Sequence, residues 1–183
     1  APPGLRELLA GEPRCDGADA YPRVGFGAMA AMPRPTPTFV VTSPDEGAAR
    51  DRPSPGTLRA AVEAARRAGG GRIVFDPAAM RGATIRLTAP LRMPAETELD
   101  GGCARVRLTG APETTLLLIR DVSNVVVRRL SFAKEDYDPT SKTARDAIML
   151  NGRFTGVILD GNRFSRCGDG CIAAGGIADG GLT

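Results

Sequence analysis

The sequence contains no histidine and no tryptophan, and only 4% of its residues are aromatic. Without histidine, neither a Cys/His zinc site nor a His-dependent catalytic triad can be built. Cysteine is sparse as well: Cys15, Cys103, Cys167 and Cys171 include no Cys-x-x-Cys pair. Two disulfides of an oxidising compartment, or buried free thiols, both accommodate them; a bridge across the corner from Cys167 to Cys171 is sterically conceivable, and no pairing is fixed. No apolar run approaches the ~20 residues of a membrane helix, and no segment resembles a signal peptide. The chain starts at Ala1 without methionine, so a processed or trimmed form is expected. Charge of a single sign is also scarce, with 24 Lys and Arg against 21 Asp and Glu. No basic run is interleaved with stacking aromatics, which excludes the usual nucleic-acid surface. The residual +3 suits an acidic polymer and, equally, an ordinary solvated mixed-charge surface.

What is abundant is small and turn-forming. Glycine and proline contribute 23 and 15 of the 183 residues, while 42% are hydrophobic. That balance predicts one domain with a narrow β interior and many corners rather than a helix bundle. A repeat gives the architecture. When Leu116-Leu117-Leu118 is set over Ile148-Met149-Leu150, Asn124-Val125-Val126-Val127 falls over Gly156-Val157-Ile158-Leu159 and Phe132 over Phe164, all at a spacing of 32 positions. Each copy reads as a pair of short apolar strands around a polar corner, and such a unit buries its apolar side only when the next copy stacks on it. An ordinary β-helix rung is shorter than this spacing, so the first copy is expected to carry an insertion, Lys134 to Lys142, as a loop thrown out from the wall. A β-sandwich would also give short, closely spaced strands. The common register and the scarcity of Asn-Gly or Asp-Gly hairpins favour the solenoid.

In chain order, residues 1–23 read as a Pro-rich N-terminal arm with a short amphipathic piece, Gly4 to Ala10, and residues 24–183 as the β-helix domain. Gly25-Phe26-Gly27 reads as a tight turn, and it lacks the further glycines and lysine of a phosphate loop. Residues 57–68 form the one convincing helix. Leu58, Ala61, Val62 and Ala65 share a face, and Gly69-Gly70-Gly71 stops it. Placed before a run of strands, it would cap the open end of a solenoid. Strands are expected at 39–42, 72–76, 84–88, 97–100 and 105–109, most of them alternating inside and outside, followed by the repeated copies.

The motifs Val24-Gly25-Phe26-Gly27, Phe39-Val40-Val41-Thr42, Pro55-Gly56-Thr57-Leu58-Arg59-Ala60-Ala61-Val62, Ile73-Val74-Phe75-Asp76 and Leu99-Asp100-Gly101 come in that order. Asn124 to Leu130, Asp146-Ala147-Ile148, Asp160-Gly161-Asn162-Arg163-Phe164-Ser165 and Cys167-Gly168-Asp169-Gly170 follow. Together they resemble the N-terminal half of the pectate lyase family of polysaccharide lyases, over residues 24 to the end. The resemblance implies an all-β, right-handed parallel β-helix with one N-terminal capping α-helix, truncated at its C-terminus. It further implies a secreted enzyme that cleaves polygalacturonate by calcium-dependent β-elimination; a monomer is expected, and composition calls for neither nucleic acid nor membrane as partner.

Calcium takes several hard oxygen ligands. Asp146 stands just before a strand in one rung and Asp169 at the equivalent place about one rung later; stacked, their mutual repulsion favours a cation between them. Each alone reads as a corner aspartate bonding its own backbone. By the resemblance both fall on calcium-binding positions, with a further acid normally four residues after the second; here Ala173 stands there. Asp136 or Asp138 of the inserted loop would be substitutes, although loop acids are commonly just solvated. The resemblance also implies that the catalytic arginine lies beyond residue 183, so no base is named. Arg145 and Arg166, and with them Arg153 and Arg163, are candidates for contact with an acidic chain, set against the ordinary role of exposed surface charge. Arg145 and Asp146, as chain neighbours, should point to opposite faces. Two other classes fit the same repeat. A non-catalytic polysaccharide-binding β-helix would need no calcium, and a β-helix glycoside hydrolase would use Asp146 and Asp169 as a carboxylate pair without a metal.

Overall fold

A computed structural model describes residues 37–46, 53–138, 140, 143–167 and 170–175. The N-terminal arm, the Gly25-Phe26-Gly27 turn, Cys15 and Asp169 lie outside the described residues.

The first element is β1 (Thr38–Val41), followed by α1 (Leu58–Arg67) and then β2 (Gly71–Phe75), β3 (Thr84–Arg86), β4 (Leu91–Arg92), β5 (Thr97–Asp100) and β6 (Arg107–Gly110). Next come β7 (Leu117–Arg120), β8 (Ser123–Arg128), β9 (Ser131–Lys134), β10 (Ile148–Asn151), β11 (Thr155–Asp160), β12 (Arg163–Ser165) and β13 (Ile172–Gly175). They form three parallel sheets. The first, in spatial order, is β1-β2-β5-β8-β11; the second is β12-β9-β6-β3; the third is β13-β10-β7-β4. Strands three apart in sequence lie side by side, so the chain coils from sheet to sheet and returns one rung higher. The expected parallel β-helix is therefore observed, and the sandwich is excluded.

The repeat is confirmed with two corrections. Each copy holds three strands rather than two: β7, β8 and β9 in one, β10, β11 and β12 in the next. The spacing of 32 holds for Val125 beneath Val157 and Phe132 beneath Phe164, but Ile148 pairs with Leu117, a spacing of 31. Triple leucine 116–118 looks the same in either register. The choice falls to the backbone, where the N–H groups of Leu116 and Leu117 both donate to the Ala147 carbonyl at 3.0 Å. The next rung is shorter, with Ile172 over Ile148 at 24 positions, so the insertion does lie in the earlier copy.

Alternation then fixes the core. Ile73, Ile85, Leu91, Leu99, Leu108, Leu117, Ile119, Val125, Val127, Phe132, Ile148 and Leu150 are all buried in one continuous interior. Phe132 stacks on Phe164, centroids 5.1 Å apart, which ties two rungs through the middle of the coil. At one end α1 lays Leu58, Ala61, Val62 and Ala65 against β1, β2 and β4. Thr57 is its N-cap, its hydroxyl accepting from Ala60 N–H at 3.2 Å. Glu46 clamps the cap to the coil by accepting from Arg59 and from the Thr88 N–H at 2.7 Å.

One column of corners shows how the coil turns. Gly70, Glu96, Asn124 and Gly156, each one residue ahead of equivalent positions in the first sheet, all have positive φ. The side chain of Asn124 bonds down to Glu96 Oε1 at 2.6 Å. Gly156, above it, leaves the room that Asn124 Oδ1 takes.

Candidate functional site: the corner between the second and third sheets

The connections β6–β7, β9–β10 and β12–β13 cross the same corner on successive rungs. Arg145 N–H donates to the Pro112 carbonyl at 2.8 Å and the Ala147 carbonyl accepts from Leu116 and Leu117. Residues 145–147 are thus laid directly on residues 112–117. Asp146 sits in the middle of this contact and is only 8% exposed. Its Oδ1 points up to the next rung, where a Cβ added to Gly170 would come within 2.7 Å of it. Asp169, the chain neighbour of Gly170, belongs to the same connection by sequence but lies outside the described residues, so the pairing of the two carboxylates remains a proposal.

Arg145 is exposed while Asp146 is buried. Arg166 is also exposed, at φ 51° after β12, on the rung above Arg145 and at the same corner. Arg153 and Arg163 are exposed at other corners. Cys167 and Cys171 are joined by a disulfide across this corner, and Cys103 is bridged as well.

One sequence expectation is corrected at this corner. Lys134 is not part of an outward loop; it is the last residue of β9 and 2% exposed. Two residues after core Phe132, it faces the same way, inward, and its Nζ donates to the Thr114 carbonyl in the rung below. Burial brings the ammonium down to about 8, against the opposing pull first of Asp146 and then of Glu113. The inserted loop begins after it. There Asp136 and Asp138 are exposed, and Asp138 accepts from the Thr140 N–H at 2.8 Å and its hydroxyl at 2.7 Å, which lowers its carboxyl. Asp138 is thus turned onto its own loop.

The fit to a calcium ion is divided. In favour, Gly170 leaves open the space in front of Asp146 Oδ1. Against it, no group of three or more acidic or cysteine side chains gathers among the described residues. Ala173 is stacked beside Met149, itself beside Leu118, in a half-buried apolar column on the third sheet. The departure at Ala173 is therefore more than one missing ligand, since the column it stands in offers no oxygen donor. What the corner can do is present one buried carboxylate, Asp146, open toward Gly170, with the exposed Arg145 and Arg166 in connections of the same corner.

No protein-family model matches the chain. It is similar to "Probable pectate lyase 4" of Arabidopsis thaliana, 33% identical over 153 residues, which cover 84% of this chain and 38% of that protein. The chain thus spans well under half the length of this relative. In fold it is similar to the crystal structure of Jun a 1, the major allergen of cedar pollen. That likeness has a TM-score of 0.60 at 24% identity, covering 83% of this chain and 44% of the allergen's. The order of motifs, the three parallel sheets and these likenesses agree, and the chain belongs to the pectate lyase-like family of parallel β-helix proteins.

Proposed function

We propose that this chain is the N-terminal portion of a secreted, monomeric polysaccharide lyase acting on polygalacturonate, with residues 24–183 as the start of a longer coil and residues 1–23 as an arm. The observation that carries this reading is Asp146, held at a rung corner with its Oδ1 directed at the glycine next to Asp169. Asp146 and Asp169 would hold a calcium ion, and Arg145 and Arg166, exposed on successive rungs, would bind uronate carboxylates beside it. Such an ion, when bound, neutralises the uronate carboxyl and makes the adjacent ring C–H more acidic. The residues of this chain bind and orient; no base for the proton is assigned among them.

The apolar column at Ala173 favours a second reading, a β-helix that binds acidic polysaccharide without cleaving it. A form extended beyond residue 183 separates the two. Given polygalacturonate and calcium, it is expected to release unsaturated, ultraviolet-absorbing product, and Asp146→Asn or Asp169→Asn should lower the rate by about two orders of magnitude or more. Binding with no unsaturated product would leave the second reading.

A further inference from the structure

An ammonium buried to 2% exposure has lost nearly all of its hydration and needs a counter-charge. Lys134 has one carbonyl partner, Thr114, which supplies a dipole but no charge. The geometry of the corner names the missing charge. Asp146 lies between Arg145, bonded to Pro112, and Ala147, bonded to Leu116 and Leu117. The segment it covers is therefore the one whose Thr114 carbonyl receives Lys134. Asp146 is itself 8% exposed and under the same demand for a partner. Glu113, the other acid of that segment, is exposed.

We propose that Lys134 is a positioning residue, a resident counter-cation whose ammonium holds the Asp146 carboxylate in place at the corner when no metal is there. The lysine enters from inside the coil, along the inward face of β9, while Asp146 Oδ1 stays directed upward to Gly170. The wall therefore keeps its shape without a divalent ion, and an ion arriving from the Gly170 side has to share Asp146 with a fixed positive charge. Only this last consequence rests on the calcium reading above.

The test is a double-mutant cycle on the 183-residue chain with Lys134→Met, Asp146→Asn and both together, each melted in chelator and in calcium chloride, with calcium titrated calorimetrically. The wild type should melt only a little higher in calcium than in chelator, since the ammonium competes with the ion for Asp146. Lys134→Met should melt several degrees lower in chelator, recover in calcium, and bind calcium about tenfold more tightly or better. The double variant should regain part of the loss in chelator, since no charge is left alone, and ignore calcium. Losses that simply add in the double variant would overturn the proposal, as would calcium binding no tighter in Lys134→Met than in the wild type when the wild type binds. Should Lys134→Met not fold in chelator, a folded double variant upholds the pair and an unfolded one refutes it. If no variant binds calcium while the cycle in chelator still shows coupling, the calcium reading fails and the pair stands.

Discussion

Replacing Asp100 by asparagine is expected to cost about 3–5 kcal/mol of unfolding free energy, read from guanidinium unfolding followed by circular dichroism. Asp100 is 1% exposed on the outward face of β5, where it would ordinarily be wet. Arginines from both neighbouring strands close over it. Arg129 donates to both its oxygens at 2.8 and 2.6 Å, Arg72 reaches Oδ2 at 2.7 Å, and Arg128 stands 3.3 Å away while also pairing with Glu98. Asparagine keeps the size and loses the charge, leaving three guanidinium groups around a neutral amide. Burial alone would raise the Asp100 carboxyl; the Arg129 and Arg72 hydrogen bonds, the Gly102 N–H and the Arg128 charge outweigh it and hold it at about 2. A carboxyl lowered in the folded state adds stability that is present above its unfolded value near 3.8 and is lost as the pH falls toward about 2. The wild type should therefore lose about 2 kcal/mol over that window on this account alone, and Asp100→Asn should lack that loss.

A comparable cost, about 3–5 kcal/mol, is expected for Phe132→Ala. Phe132 is fully buried, and its stacking on Phe164 joins the rung that carries the insertion to the rung above it. Its removal leaves a cavity that a wall of parallel strands, held by its own hydrogen bonds, cannot collapse to fill. Phe164→Ala should cost less in the same guanidinium experiment, because Phe164 is only partly buried. Equal losses would mean that the ring pair, rather than the burial of Phe132, sets the energy.

The contrast between these residues shows what a sequence of this kind reveals. Phe132 was legible because alternation and a 32-residue register both point to it. Asp100 read only as the last residue of the strand 97–100, since the arginines that enclose it stand 28 or 29 positions away and become neighbours only when the coil closes. Alternation told inside from outside at β5 but not that Glu98 and Asp100, both outside, are buried under guanidinium groups. Lys134 was misplaced for the opposite reason. Its charge and the polar run after it suggested a loop, whereas its position two after Phe132 already put it on the inward face. The cap helix was found nearly to the residue, because a 3.6-residue apolar period and a glycine stop are local signals. Asp146, Arg145 and Arg166 are proposed from the sequence, while the open space at Gly170 and the buried ammonium of Lys134 on the Thr114 carbonyl needed the stacking of successive rungs.

The central claim is that this corner holds an acidic polysaccharide through an ion at Asp146. Retention of the 183-residue chain on immobilised polygalacturonate, compared with and without chelator and for wild type and Asp146→Asn, tests it most directly. Retention that falls about tenfold or more in chelator, and in the same measure with Asp146→Asn, is the expected result. Retention indifferent to both calcium and Asp146, or no retention at all, would contradict it.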